Sequence, residues 1–209
     1  MASDLVSPQS PSAPPPPPPS ERRYVAFDCE TTGLNPERDG IISIGAIGIR
    51  HGEILLDDTC EAVLKTDYAT PAMLVHGLTL NESAAGIDEA AAVRAFLEYA
   101  KDAVFVGHHV GFDCRIVAAA ARRHHLEHDR MRAIDTRRLA LGLETAGVLG
   151  GEPITGFELD DLCRRFDITM HDRHTASGDA YLTAQVFLRL HRLAVRAGLD
   201  PLDFAETDL

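Results

Sequence analysis

The stretch Tyr24-Val25-Ala26-Phe27-Asp28-Cys29-Glu30-Thr31-Thr32-Gly33 decides how this chain is read. Its first four residues form a short apolar, β-prone run, which predicts a buried strand that ends in acid. Asp28 and Glu30 are two positions apart. On a strand both carboxylates therefore point to the same face and can reach one centre. Beyond them, Gly33 lets the chain turn sharply, while Thr31 and Thr32 offer hydroxyl and amide donors to a ligand.

Two further stretches carry acids in matching contexts. Asp113 closes VGHHVGFD, after an apolar run at 103–107, and is expected near a helix N-terminus where negative charge is favoured. His174 and Asp179 lie in RHTASGD, at the start of a final helix. Four acids converging in a low-dielectric pocket cannot remain uncompensated, and a bound divalent metal is the simplest resolution. Hard cations such as Mg²⁺ take oxygen ligands, commonly a few carboxylates plus substrate phosphates. That combination points to phosphoryl chemistry. Histidine as a residue type suits general-base work near neutrality. Among ten histidines, His174 is singled out by its place five residues before Asp179, whereas His51, His124, His125 and His128 read as surface residues.

Composition narrows the remaining classes. The 209 residues carry a net charge of −12, which argues against broad non-specific binding to duplex DNA. It leaves room for an enzyme that grips only a few nucleotides. The arginine pairs at 22–23, 122–123, 137–138 and 164–165 read as solvated faces. Apolar runs stay short of the roughly 18 residues of a membrane span, and the N-terminus shows no secretory pattern. Cys29, Cys60, Cys114 and Cys163 have no CxxC spacing and are expected as reduced thiols, consistent with a cytoplasmic setting.

Eight of the twelve prolines fall in residues 1–22, six of them consecutive from Pro14 to Pro19, so this part is expected to be a disordered, extended proline-rich leader. From Tyr24 onward the pattern is mixed α/β. Strands are predicted at 41–49, 53–64, 103–107 and 133–135, with a tight hairpin at His51-Gly52. Val93, Phe96, Leu97 and Ala100 give a helical stripe over 88–100. Further helices are predicted from Gly111, after a capping box formed by Thr155 and Glu158, and from about Ala176, where Leu182, Val186, Phe187 and Leu190 share a face.

Together the three acid motifs resemble the DEDDh subgroup of the DnaQ-like 3′–5′ exonuclease superfamily, which includes the proofreading epsilon subunit of DNA polymerase III. The resemblance covers about residues 23–192, with acid, acid, acid, histidine, acid in family order. VHGLT at 75–79, LDDLCRRFDI at 159–168 and Asp135-Thr136 are similar to secondary family segments. The resemblance implies a ribonuclease H-like α/β fold, a mixed five-stranded sheet flanked by helices. It implies Asp28, Glu30, Asp113 and Asp179 as ligands of two Mg²⁺ or Mn²⁺ ions, with Asp28 bridging and His174 as the base. It implies Thr31, Thr32 and His76 beside the terminal nucleotide, and a structural Asp135. One departure is His108-His109, where the family often has His-Asn, and an effect on substrate contacts is expected there.

The expected organisation is a leader at 1–22, an exonuclease domain at 23–195 and a short extension at 196–209. The expected activity is metal-dependent hydrolysis of the 3′-terminal phosphodiester of single-stranded nucleic acid, giving nucleoside 5′-monophosphates. DNA is the expected substrate and RNA 3′ ends are the alternative. A catalytically silent nucleic-acid-binding module is the alternative from another class. A polymerase or other replication partner is left unassigned, as is the oligomeric state, and no membrane association is expected.

Overall fold

The computed structural model describes residues 17–65, 85–151 and 154–206. The central strand β1 is Tyr24–Thr31. It pairs antiparallel with β2, Ile41–Arg50, which pairs antiparallel with β3, Glu53–Val63. On its other edge β1 pairs parallel with β4, Val104–Gly107, and β4 pairs parallel with β5, Ala133–Asp135. The resulting order, β3-β2-β1-β4-β5, is the expected mixed five-stranded sheet. A two-residue strand β6, Ala205–Glu206, extends it antiparallel beside β5.

Helices cover both faces, and the period of β1 decides which side chains each face receives. Val25, Phe27 and Cys29 pack toward α1 (Glu89–Tyr99) and α2 (Val110–Arg123), where Phe27 meets Phe96 with ring centroids 5.0 Å apart. Tyr24 and Ala26 pack on the opposite face, which carries α3 (Thr136–Thr145), α4 (Leu159–Arg165) and the long α5 (Ala176–Arg196). There the Tyr24 ring lies 4.9 Å from that of Phe187. The same alternation turns Asp28 and Glu30 toward α5. All four predicted stripe residues of that helix, Leu182, Val186, Phe187 and Leu190, are buried.

One glycine makes this face possible. Gly45 of β2 stands opposite Asp28 in the strand register. A β-carbon added at Gly45 would lie 2.3 Å from the backbone carbon of Ala176 and the nitrogen of Ser177. The first turn of α5 therefore rests directly on the sheet backbone, which brings Asp179 to the end of β1. Gly45→Ala should force α5 away, at about 1–3 kcal/mol of overpacking cost. Thermal melts should show a clear drop in Tm with activity falling further than stability. An unchanged Tm would show that the helix has room to spare.

Two terminal details go beyond local pattern. Arg22, at the end of the proline-rich segment, is buried and donates to Asp200 from both terminal nitrogens, at 2.5 and 2.7 Å. Its Nε donates to the Pro17 carbonyl at 2.6 Å. Other members of the arginine pairs are tied to acids too: Arg122 to Glu37 at 2.7 Å, Arg123 to Glu89 at 2.9 Å, and Arg164 to Asp161 at 2.6 Å. The N-cap of α4 is Glu158, and the predicted cap Thr155 lies outside the helix. The Glu158 backbone N–H donates to Asp161 at 3.3 Å, so the reciprocal spacing is met three residues later than expected.

Candidate metal centre

The acids meet at the carboxyl end of β1. Ligand-capable oxygens of Asp28, Glu30 and Asp179 all lie within 4.8 Å of one another. Asp28 and Glu30 come from alternate positions of the strand. Asp179 comes from the first turn of α5, whose N-cap Thr175 accepts from the Gly178 N–H at 3.1 Å. A carboxylate in that turn is favoured by the helix dipole. Asp113 occupies the first turn of α2 and reaches the site from the other side of the sheet. Its Oδ1 accepts from the Cys29 N–H at 3.1 Å, which fixes it against the strand between Asp28 and Glu30.

Electrostatics show what this arrangement costs. Burial pushes Glu30 up to about 7, and the nearby Asp179 charge adds to the shift. Burial pushes Asp113 up to about 8 against the opposing pull of its backbone hydrogen bonds. Asp28 is held well above the usual carboxylate range by desolvation, with Asp113, Glu30 and Asp179 contributing. One atom of the set, Oδ1 of Asp179, is buried and finds no hydrogen-bond partner among the described residues. Clustered hard oxygens with an orphaned lone pair fit a divalent cation of the magnesium or manganese type.

A cation that the sequence reading missed already stands here. Arg173 donates from Nη1 to Oδ2 of Asp179, and from Nε to Asp160 at 2.7 Å. It depresses the proton affinity of both Asp28 and Glu30. Its only signal in the sequence was its place directly before His174. His174 itself is exposed on the loop ahead of α5, in the left-handed region with φ 64°, outside the carboxylate group.

The threonines shape the turn after β1. Thr31 donates its hydroxyl to the Gly33 carbonyl at 2.8 Å, and Thr32 accepts from the Gly40 N–H at 3.0 Å. His76 and the VHGLT segment lie outside the described residues. Asp135 caps α3 by accepting from the Arg137 N–H at 2.8 Å. His109 is the N-cap of α2 with φ 59°, a left-handed position that asparagine tolerates better than histidine. That accounts physically for the His-Asn pattern from which the chain departs. Burial holds the neighbouring His108 down to about 3, with His109 and Arg137 adding to the effect.

These shifts predict an unusual pH dependence for metal-free protein. The folded values of Glu30 and Asp113 lie above their ordinary ones, so the folded state binds protons that the unfolded chain releases. Stability is then greatest below the ordinary values, 4.5 and 3.8, and is lost as pH rises toward about 7 and about 8. In chelator, Tm should fall between pH 5 and pH 8, and Mg²⁺ or Mn²⁺ should raise it more at pH 8 than at pH 5. A chelated Tm that rises across this range would contradict the carboxylate assignment.

Among the described residues no helix is long and apolar enough to cross a membrane. All four cysteines are free. Residues 25–187 match the RNase T family, described as exonuclease. A DNA polymerase III PolC-type protein of Caldanaerobacter subterraneus subsp. tengcongensis is 30% identical over 174 residues, 81% of this chain and 12% of its own length. A DNA polymerase III subunit epsilon-like protein of Rhodobacter capsulatus is 34% identical over 192 residues, 90% of this chain and 26% of its own. Among solved structures, the zinc-bound form of the E. coli exonuclease I–single-stranded DNA complex superposes with a TM-score of 0.70 at 22% identity. That match covers 84% of this chain and 42% of the other, and it shows the shared ribonuclease H-like fold. The chain thus spans less than half the length of each of these proteins.

Proposed function

This chain belongs to the RNase T exonuclease family, and we propose that it is a divalent-metal-dependent 3′–5′ exonuclease acting on single-stranded DNA, releasing nucleoside 5′-monophosphates. The observation that carries this reading is the convergence of Asp28, Glu30 and Asp179 within 4.8 Å, with Asp113 bound to the same strand end. Uncompensated, such an acid cluster is costly, and hard cations held against a phosphate compensate it.

Asp28, Glu30, Asp113 and Asp179 would hold two Mg²⁺ or Mn²⁺ ions. Bound there, such ions supply Lewis-acid stabilisation of the phosphoryl oxygens and lower the pKa of a nucleophilic water. The protein's own groups do the rest. His174, on its exposed loop, accepts the proton of the attacking water at its imidazole. Arg173 positions the Asp179 carboxylate by gripping it against Asp160. The Thr31–Thr32 turn and His76 receive the terminal nucleotide. The net charge of −12 and the ion-paired arginines favour a short single-stranded footprint over a duplex track. Free thiols suit a reducing cytoplasm. Relatives named as DNA polymerase III components support a DNA substrate and a replication-linked partner.

The test is a matched panel of 5′-labelled single-stranded DNA, blunt duplex DNA and RNA at low salt. Single-stranded DNA should be shortened fastest, stepwise from its 3′ end. Faster trimming of RNA would reassign the enzyme as an exoribonuclease. Cleavage of none of the three, with metal present, would leave only the silent binding module.

A further inference from the structure

His108 and His109, the two residues that depart from the family pattern, belong to a second group of metal-ligating side chains. One ligand-capable atom from each of His108, His109 and Glu158 falls within 4.8 Å of the others. None of the three is part of the carboxylate centre. His109 ends the loop before α2, Glu158 is the N-cap of α4, and His108 leans on Thr136 at the start of α3. We propose that His108, His109 and Glu158 form a zinc site distinct from the carboxylate centre.

The hydrogen bonds prepare His108 for such a role. The Thr136 hydroxyl donates to the Gly107 carbonyl at 3.3 Å, so its oxygen is left to accept. It accepts from Nδ1 of His108, 2.9 Å away. This pairing puts the proton on Nδ1 and the lone pair on Nε2. Nε2 is in turn buried, with no hydrogen-bond partner among the described residues. An imidazole oriented by a hydrogen bond from its other nitrogen is the usual state of a ligating histidine. His109 lies edge-on to His108, with ring centroids 4.9 Å apart, and its Nε2 is 3.4 Å from Oε2 of Glu158. Both His109 and Glu158 are exposed, and their contact with each other marks the space an ion would take.

The surroundings also select the metal. Arg137 faces the other oxygen of Glu158 at 4.0 Å, and helix N-termini oppose positive charge. A hard cation held by charge alone gains little here. A borderline metal that bonds strongly to imidazole is favoured, and two histidines with one carboxylate are a ligand set that zinc takes with a fourth position open. The site does not depend on the nuclease reading, because none of its residues takes part in the proposed hydrolysis.

The test uses the full chain carrying Asp28→Asn, which weakens the carboxylate centre, stripped of metal and titrated with Zn²⁺ by calorimetry. X-ray absorption at the zinc edge counts the imidazoles. One Zn²⁺ per chain with two imidazole ligands is expected. Thr136→Val, which removes only the orienting hydroxyl, should weaken binding about 10–100-fold. His109→Asn and Glu158→Gln should weaken it further. His109→Asn also suits the left-handed backbone, so its loss of zinc would not reflect misfolding. An oxygen-only zinc spectrum, no binding in the Asp28→Asn chain, or an unchanged affinity in His109→Asn would each overturn the site.

Discussion

Replacing Asp28 with asparagine is expected to abolish hydrolysis while making the metal-free protein more stable. Both effects come from the same carboxylate. Asp28 is drawn well above the usual carboxylate range by burial and by three neighbouring acids. Holding this carboxyl in the empty centre therefore costs free energy at neutral pH, either as a proton taken up from solution or as crowded, poorly solvated charge. Asparagine keeps the shape and removes that charge. A gain of about 1 kcal/mol would appear as roughly 2–4 °C in Tm for a chain of this size. The gain should be larger at pH 8 than at pH 5, where protons already relieve the crowding. Activity moves the other way. Asp28 lies among all the other acids and would contact both ions, so its loss should cost at least about 10²–10³ in turnover, the scale for removing one preorganised group that stabilises developing charge. Steady-state kinetics with Mn²⁺ and thermal melts in chelator measure the two halves. An active variant, or one that melts lower in chelator at pH 8, would break the link between buried charge and metal.

His174→Ala should lower turnover by about 10²–10⁴-fold, the usual contribution of a general base. Metal affinity should hardly change. His174 is exposed on the loop before α5 and stands apart from the carboxylate oxygens that group within 4.8 Å. Its left-handed φ of 64° holds it between Arg173, which grips Asp179, and Thr175, which caps the helix. A base on a loop can approach the substrate without entering the metal's ligand shell. Because alanine is strained at positive φ, His174→Asn is the companion variant. It tolerates the backbone, so an equal loss in both variants isolates the imidazole. The acidic limb of the pH–rate profile should also move. Full turnover with a large rise in the metal concentration required would make His174 a ligand, and the base would lie elsewhere.

Much of this was legible in the sequence because it rests on local periodicity. The two-residue spacing of Asp28 and Glu30 fixed their shared face once β1 was recognised. The stripe at Leu182, Val186, Phe187 and Leu190 likewise fixed the inner face of α5. What escaped depends on partners remote in the chain. The strand β6 is two residues long and has no pattern of its own. It follows Asp200, which is paired with Arg22 from the opposite terminus. Arg173 has no pattern of its own in the sequence, and its role depends on Asp160 and Asp179 coming together around it. The bond from the Cys29 N–H to Asp113 spans 84 positions and ties α2 to β1. The helix α3 was readable in principle, since Asp135 caps it and Leu139, Ala140 and Leu143 form its buried side. Glycine 45 could be placed in a strand from sequence, but not against the backbone of Ala176.

The most direct measurement takes chelator-stripped protein and a 5′-labelled single-stranded oligonucleotide, with and without added Mg²⁺ or Mn²⁺, and resolves both the shortened strands and the released nucleotides. The carboxylate centre predicts no cleavage in chelator. Restoring metal should give a ladder that shortens from the 3′ end, with nucleoside 5′-monophosphates as the small product. Cleavage undiminished after metal removal, or fragments arising from internal cuts, would contradict it.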